Sequence, residues 1–136
     1  MGYNFEKFTG FNARTTKPVV SITRAKAIGL SSAFCAKYNV DQFNFAVLYY
    51  DRASNSIGFR LTNDEKEVSK FTVTKTRKGT KGSSITSQSF FNTNKIPVDL
   101  FAHQYSPKEK ELREVGIDEK GKLFIIDLKE KQPELD

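Results

Sequence analysis

Residues 43–61, FNFAVLYYDRASNSIGFRL, determine how the rest of the chain is interpreted. Apolar residues alternate with other residues on both sides of a break, at Phe43, Phe45, Val47 and Tyr49 before it and at Ile57, Phe59 and Leu61 after it. The break, residues 51–56, is rich in turn-forming residues and has the length of a short hairpin loop. The stretch therefore predicts a β-hairpin.

Length and composition predict one cytoplasmic domain. The chain has 136 residues, the size of an ordinary single domain. It starts without the basic and apolar segments of a signal peptide, and no apolar run is long enough to cross a membrane. Cys35 is the only cysteine, which is typical of a protein from a reducing compartment. We expect no membrane association.

The charge distribution indicates an anionic partner. The formal net charge is +6 and the pI is about 9.4. Residues 1–60 carry eight Lys or Arg against three Asp or Glu, whereas residues 101–136 carry seven against nine. A basic body with a mildly acidic end is typical of a protein that binds a polyanion, nucleic acid first. Many small basic proteins, however, bind no nucleic acid.

The remaining elements are predicted from periodicity and turn signals. Residues 1–17 read as an irregular arm and residues 129–136 as a polar tail. Ser31 or Ser32 offers an N-cap for a helix over 32–38, whose apolar residues lie four apart. A second helix is predicted over 88–94. The other predicted strands cover 18–24, 28–31, 68–77, 83–86, 98–105 and 122–128, and residues 107–114 read as a charged loop.

Two parts of the chain resemble each other. Residues 31–49 align without a gap on residues 87–105, so that Phe34 meets Phe90, Phe45 meets Phe101 and Tyr49 meets Tyr105. The flanking strands extend this match into two units, 18–62 and 68–128, each with the order strand, strand, helix, strand, strand. The sequence thus predicts an α+β domain over 18–128, made of two curved antiparallel sheets and two helices.

A family resemblance follows from the middle of the chain. Strands over 43–51, 57–62, 68–77 and 83–86 precede the helix over 88–94. This order resembles the Whirly and positive-cofactor-four class of single-stranded-nucleic-acid-binding domains, over roughly residues 18–128. The resemblance implies a unit of four strands and one helix, paired within one chain or between subunits, and hence a possible homodimer.

Few residues suit catalysis or metal binding. His103 is the only histidine and is predicted to lie within an apolar strand, where a partly buried structural role is expected. One cysteine and one histidine do not make a closed zinc site. Residues 79–82, GTKG, lack the spacing of a phosphate-binding loop. We therefore expect no enzyme activity, metal or cofactor.

Cations beside aromatic and hydroxyl residues on predicted strands form the candidate binding site. Such cations can follow a sugar–phosphate backbone, while a tyrosine ring stacks on a base. The predicted nucleic-acid-binding residues are Arg24, Lys26, Tyr50, Arg52, Arg60, Lys70, Lys75, Arg77, Lys78 and Lys81. The expected function is non-enzymatic binding of single-stranded DNA or RNA by a basic concave sheet, as in a transcription or replication accessory factor.

Two other functions remain open. Residues 20–34, VSITRAKAIGLSSAF, resemble the strand–turn–strand–helix start of swapped-hairpin regulators that bind double-stranded DNA. A protein-interaction or assembly module is the third possibility.

Overall fold

A computed structural model describes residue 3 and residues 17–75, 82–119 and 121–130. The strands among them are β1 (Val20–Ile22), β2 (Ala27–Leu30), β3 (Phe45–Asp51), β4 (Ser56–Thr62), β5 (Lys70–Lys75), β6 (Ser83–Thr86), β7 (Gln104–Tyr105), β8 (Lys108–Glu111) and β9 (Lys122–Asp127). The helices are α1 (Ser32–Tyr38), α2 (Gln88–Thr93) and α3 (Val98–Phe101), with 3₁₀ turns at Val40–Gln42 and Leu112–Val115. Of the predicted arm and tail, only residues 3, 17, 129 and 130 belong to the described part.

The predicted hairpin is confirmed. Strands β3 and β4 pair in an antiparallel register from Phe45 opposite Thr62 to Asp51 opposite Ser56. Ile57 and Phe59 are fully buried and lie opposite Tyr50 and Leu48. The core therefore covers the face that carries these residues, and Val47 and Tyr49 belong to the opposite face, called the outer face below.

All nine strands are joined in one curled antiparallel sheet, in the order β7-β1-β2-β6-β5-β3-β4-β9-β8. Strand β5 connects its two parts, because residues 70–72 pair with β3 while residues 73–75 pair with β6. The prediction of two separate sheets built from a strand–strand–helix–strand–strand repeat is therefore wrong. The fold is mainly β, with short helices packed on one sheet.

The helices cover the core face of the sheet. Helix α1 starts where the sequence predicts, and Ser31 is its N-cap, because its hydroxyl accepts a hydrogen bond from the backbone N–H of Phe34 at 3.1 Å. The buried Phe34 ring lies 5.9 Å from that of Phe59 and 5.0 Å from that of Phe124. Helix α2 contributes Phe90 and Phe91 to the same core cluster.

The predictions for residues 98–105 and 107–114 are wrong. Residues 98–101 form the single turn of α3, which buries Val98 and Phe101 and leaves Leu100 exposed. Burial at positions three apart matches a helical turn, and Pro97 occupies its N-cap. The predicted strand shrinks to the two residues of β7, so the second half does not repeat the long strand β3.

Strand β8 replaces the predicted charged loop. It pairs only with β9 among the described residues, and all four of its residues are exposed. Because neighbours along a strand point to opposite faces, Lys108 and Lys110 lie on the outer face, whereas Glu109 and Glu111 lie on the core side. Strand β8 therefore ends the outer face with two cations.

The turn after β8 covers part of the outer face. Val47, Leu112 and Leu123 are buried but do not belong to the main core cluster. Gly116 follows with a φ of +87°, a conformation that glycine adopts without strain. Residues 112–117 thus rise over the sheet and form a wall beside the exposed outer face.

Candidate functional site

The predicted binding residues occupy several separate places. Arg24 and Lys26 lie in the turn between β1 and β2, and the Lys26 ammonium donates a hydrogen bond to the Asn92 side chain. Strands β6 and β5 separate this turn from the β3–β4 hairpin. Arg77, Lys78 and Lys81 lie outside the described residues.

Arg60 is engaged by other side chains. Its Nε donates to the hydroxyl of Tyr49 at 2.9 Å, and its terminal nitrogen lies 3.1 Å from carboxylate oxygens of both Glu67 and Glu119. Partial burial disfavours the charged guanidinium, but the hydrogen bonds with Tyr49 and Glu67 and the charge of Glu119 outweigh it, so the pKa of Arg60 is raised. Arg60 joins strand β4 to the segments that contain the two glutamates.

Lys70 and Lys75 also have partners within the chain. The Lys70 ammonium donates to the backbone carbonyls of Glu65 and Glu67 and lies 5.2 Å from the centre of the Phe45 ring. The Lys75 ammonium donates to the backbone carbonyl of Asp41. Both lysines therefore hold neighbouring loops.

Tyr50 and Arg52 lie together at the tip of the β3–β4 hairpin. The Tyr50 hydroxyl donates to the Asn55 side chain at 2.8 Å, and its ring contacts the ring of Phe90 edge-on. The Arg52 guanidinium lies 5.4 Å from the centre of the Tyr50 ring. Both residues belong to the lining of a groove on the outer face, although the Tyr50 ring itself packs on the core side against Phe90. They are the predicted residues nearest to a candidate site.

The groove has a volume of about 580 Å³ and runs over β3, β4, β9 and β8. Strand register places Tyr49 opposite Gly58, Gly58 opposite Ile125, and Ile125 opposite Lys108. One row across the outer face thus contains an aromatic ring, a position without a side chain, an aliphatic residue and a cation. We call it the central row.

The surroundings of the central row are apolar on one side and polar on the other. A Cβ added at Gly58 would lie 3.0 Å from a methyl carbon of Leu123, so this leucine forms the floor of the groove there. Val115 and Ile117 form one wall. Lys110 lies opposite Leu123, and no group among the described residues forms a hydrogen bond or ion pair with its ammonium.

The row next to the central row carries a polar network. Asp51 lies opposite Ser56, which lies opposite Asp127. The Ser56 hydroxyl donates to the Asp127 carboxylate at 2.7 Å, and the Lys108 ammonium lies 2.8 Å from its other oxygen. The hydrogen bonds from Lys108 and Ser56 hold the pKa of Asp127 below its usual value, against the effect of partial burial. We call Asp51, Ser56 and Asp127 the carboxylate row.

The lowered pKa of Asp127 predicts a loss of stability in acid. The ion pair stabilises the fold at every pH above the unfolded-state pKa of about 3.9 and is lost as the pH falls through the lower folded-state pKa. Urea unfolding of the wild type and of Asp127→Asn at neutral pH and near pH 2.5 checks this. The wild type should lose more stability than the variant between the two conditions, and an equal loss would contradict the role of this pair.

Several residues of the groove are absent from the sequence-based set. Lys108, Lys110, Ile125 and Asp127 are among them. The alternation of lysine and glutamate at 108–111 is the signal that could have indicated a strand with a basic face. That strand faces the groove only because β8 pairs with β9.

Cys35 and His103 are at least partly buried, and neither lines the groove. Burial raises the pKa of the Cys35 thiol. His103 is half-buried between α3 and β7, where its ring nitrogens lie 3.0 Å and 2.6 Å from the carbonyl oxygens of Gln104 and Lys129. Within the described ranges, no three His, Cys, Asp or Glu side chains form a group that could hold a metal ion.

Among the residues that the structure describes, no helix has the length and apolar character needed to cross a membrane. Comparisons with protein-family models, with curated proteins and with solved structures found no match to this chain.

Proposed function

We propose that the protein is a non-enzymatic binder of single-stranded DNA or RNA and that the outer-face groove is its binding surface. The observation that carries this proposal is the central row, in which Tyr49 and Lys108 lie on either side of Gly58 and Ile125. Arg52 and Lys110 add cations at the edges of the same groove. The net charge of +6 favours a polyanion over a neutral ligand.

An unpaired strand suits this surface better than a duplex. Single-stranded bases can stack on aromatic side chains, each stack being worth about 1–3 kcal/mol, while neighbouring cations neutralise phosphates. Bases within a duplex have no exposed ring faces for Tyr49 to contact. The volume of the groove falls within the roughly 300–1,000 Å³ that is typical of small-ligand pockets. We therefore expect the groove to contact a short stretch of nucleotides.

The same proposal includes a cytoplasmic location. A reducing compartment suits a chain whose single cysteine, Cys35, is a buried thiol.

Replacing Tyr49 by leucine should lower the affinity for a fluorescein-labelled oligothymidylate about tenfold or more, because the stacking ring is lost. Replacing it by phenylalanine should leave the affinity within about twofold of the wild type, because the ring remains and only the hydroxyl bonded to Arg60 is removed. Fluorescence anisotropy at low salt measures both values.

Two arginines provide a matched control for the binding surface. Arg52→Ala should weaken binding and reduce its salt dependence, whereas Arg24→Ala, in the turn between β1 and β2, should change neither. Absence of binding at low salt would contradict the proposal. Tighter binding of a duplex would favour the double-stranded-DNA regulator instead, and an equal effect of both arginine variants would place the binding surface elsewhere.

A further inference from the structure

The carboxylate row is an unusual feature of a groove proposed to bind a polyanion. Asp51 and Asp127 both line the groove and lie on either side of Ser56. Phosphates avoid carboxylates, so the row repels the nucleic-acid backbone. A carboxylate is, however, a strong acceptor for N–H groups on the edge of a base.

Asp127 retains acceptor capacity towards the groove. Its two oxygens accept one hydrogen bond each, from Ser56 and Lys108, whereas an ionised carboxylate has about four acceptor positions. Its side chain is 42% exposed. Ser56 and Lys108 thus keep the Asp127 carboxylate ionised and fixed in orientation, and they leave some of its hydrogen-bond acceptor positions free.

Asp51 has a similar arrangement. One of its oxygens accepts the backbone N–H groups of Ala53 and Ser54 in the hairpin turn, at 3.1 Å and 3.4 Å. A hydrogen bond from the Ser54 side chain, together with these backbone bonds, holds the pKa of Asp51 below its usual value, so that Asp51 is ionised at neutral pH. The groove therefore presents two fixed carboxylates, one on each of the strands β3 and β9 that flank Ser56.

We propose that Asp127, assisted by Asp51, selects the base bound in the groove, in favour of bases whose exposed edge presents N–H donors. This inference rests on the proposed function. Guanine suits the site best, because N1–H and the N2 amino group are adjacent donors that one carboxylate can accept together. Thymine and uracil suit it least, because carbonyl oxygens on both sides of their single N–H donor face the carboxylate.

The geometry separates selection from general affinity. Tyr49 and Ile125 in the central row contact ring faces, which every base has, so they do not discriminate between bases. Asp127 lies on the same face of β9, two residues beyond Ile125, and lines the same groove as Tyr49. Loss of this carboxylate should therefore remove selectivity and leave the stacking contribution.

Competition anisotropy tests the proposal. A labelled oligothymidylate of about eight nucleotides is displaced by the same oligonucleotide with one central guanine, or by guanosine and uridine monophosphates. The guanine-containing competitor should bind about tenfold more tightly than its thymine or uracil counterpart. Asp127→Asn should reduce this ratio to about threefold or less, since an amide replaces one acceptor with a donor. Asp51→Asn provides a second, independent variant.

The control is Asp99→Asn, which makes the same charge change on the exposed part of α3 and should keep the full guanine preference. Thermal unfolding establishes that each variant is folded under the assay conditions. Equal affinity for all competitors, or an unchanged preference in Asp127→Asn, would overturn the selection role while the proposed function stands. Absence of binding by every oligonucleotide would overturn the proposed function itself and the selection role with it.

Discussion

Replacing Phe59 by alanine is expected to lower the free energy of unfolding by roughly 3–5 kcal/mol. Phe59 is fully buried at the centre of β4. Its ring lies 5.9 Å from the ring of Phe34 and 5.3 Å from that of Phe124, so it joins α1 to the sheet. Truncation would remove the apolar contacts and leave a cavity that rigid neighbouring strands cannot fill.

Phe45→Ala is the matched control for this prediction. Phe45 is a half-buried phenylalanine on the outer face of β3, the neighbouring strand. The Phe45→Ala variant should lose clearly less free energy of unfolding than Phe59→Ala, because less apolar surface returns to water and no closed cavity forms. Urea unfolding followed by circular dichroism measures both variants. Similar losses would mean that the core does not lie on the face that contains Phe59.

Replacing Arg60 by methionine should lower the free energy of unfolding by about 1–3 kcal/mol, because partly buried polar groups are left without a partner. The arginine side chain is 13% exposed, and its guanidinium is shared by Glu67, Glu119 and the hydroxyl of Tyr49. Methionine preserves most of the apolar stem and removes the charge, so the loss reports the interactions of the guanidinium.

A double-mutant cycle separates these interactions. Arg60→Met combined with Glu67→Gln should cost less than the sum of the single variants, because both remove the same ion pair. Urea unfolding of the four proteins gives the coupling energy. Strict additivity would show that the pair contributes nothing measurable, as is the case for many exposed ion pairs.

The central part of the fold could be predicted from local pattern. The β3–β4 hairpin combines alternation on both sides with a turn-rich loop, and the start of α1 combines a serine cap with apolar residues four apart. In these segments, local preference and tertiary packing agree. Pattern alone could not show which face of β3 is buried, because Val47 and Tyr49 are as apolar as Leu48 and Tyr50.

The C-terminal half shows where local pattern fails. The segment at 98–105 is apolar enough to be predicted as a strand, yet Val98 and Phe101 are buried together on one helical turn. Strand β8 has no apolar residue, and it is extended because β9 supplies its hydrogen-bonding partners. Pairing across the chain, which no short window of sequence contains, decides both outcomes.

The candidate site depends on the same long-range pairing. Tyr49, Gly58, Ile125 and Lys108 come from four strands and form one row only through their register. Single-sequence reasoning can identify a basic strand or an exposed tyrosine, and it identified Tyr50 and Arg52 near the groove. It cannot align residues that are separated by more than fifty positions in the chain.

The alternation of charge along β8 has a consequence for self-association. If the β8 strands of two copies paired antiparallel about a two-fold axis, residues on the same face of the sheet would lie opposite each other across the interface. Ammonium groups would then oppose ammonium groups on one side, and carboxylates would oppose carboxylates on the other. The β8 edge therefore disfavours pairing with the same edge of a second copy.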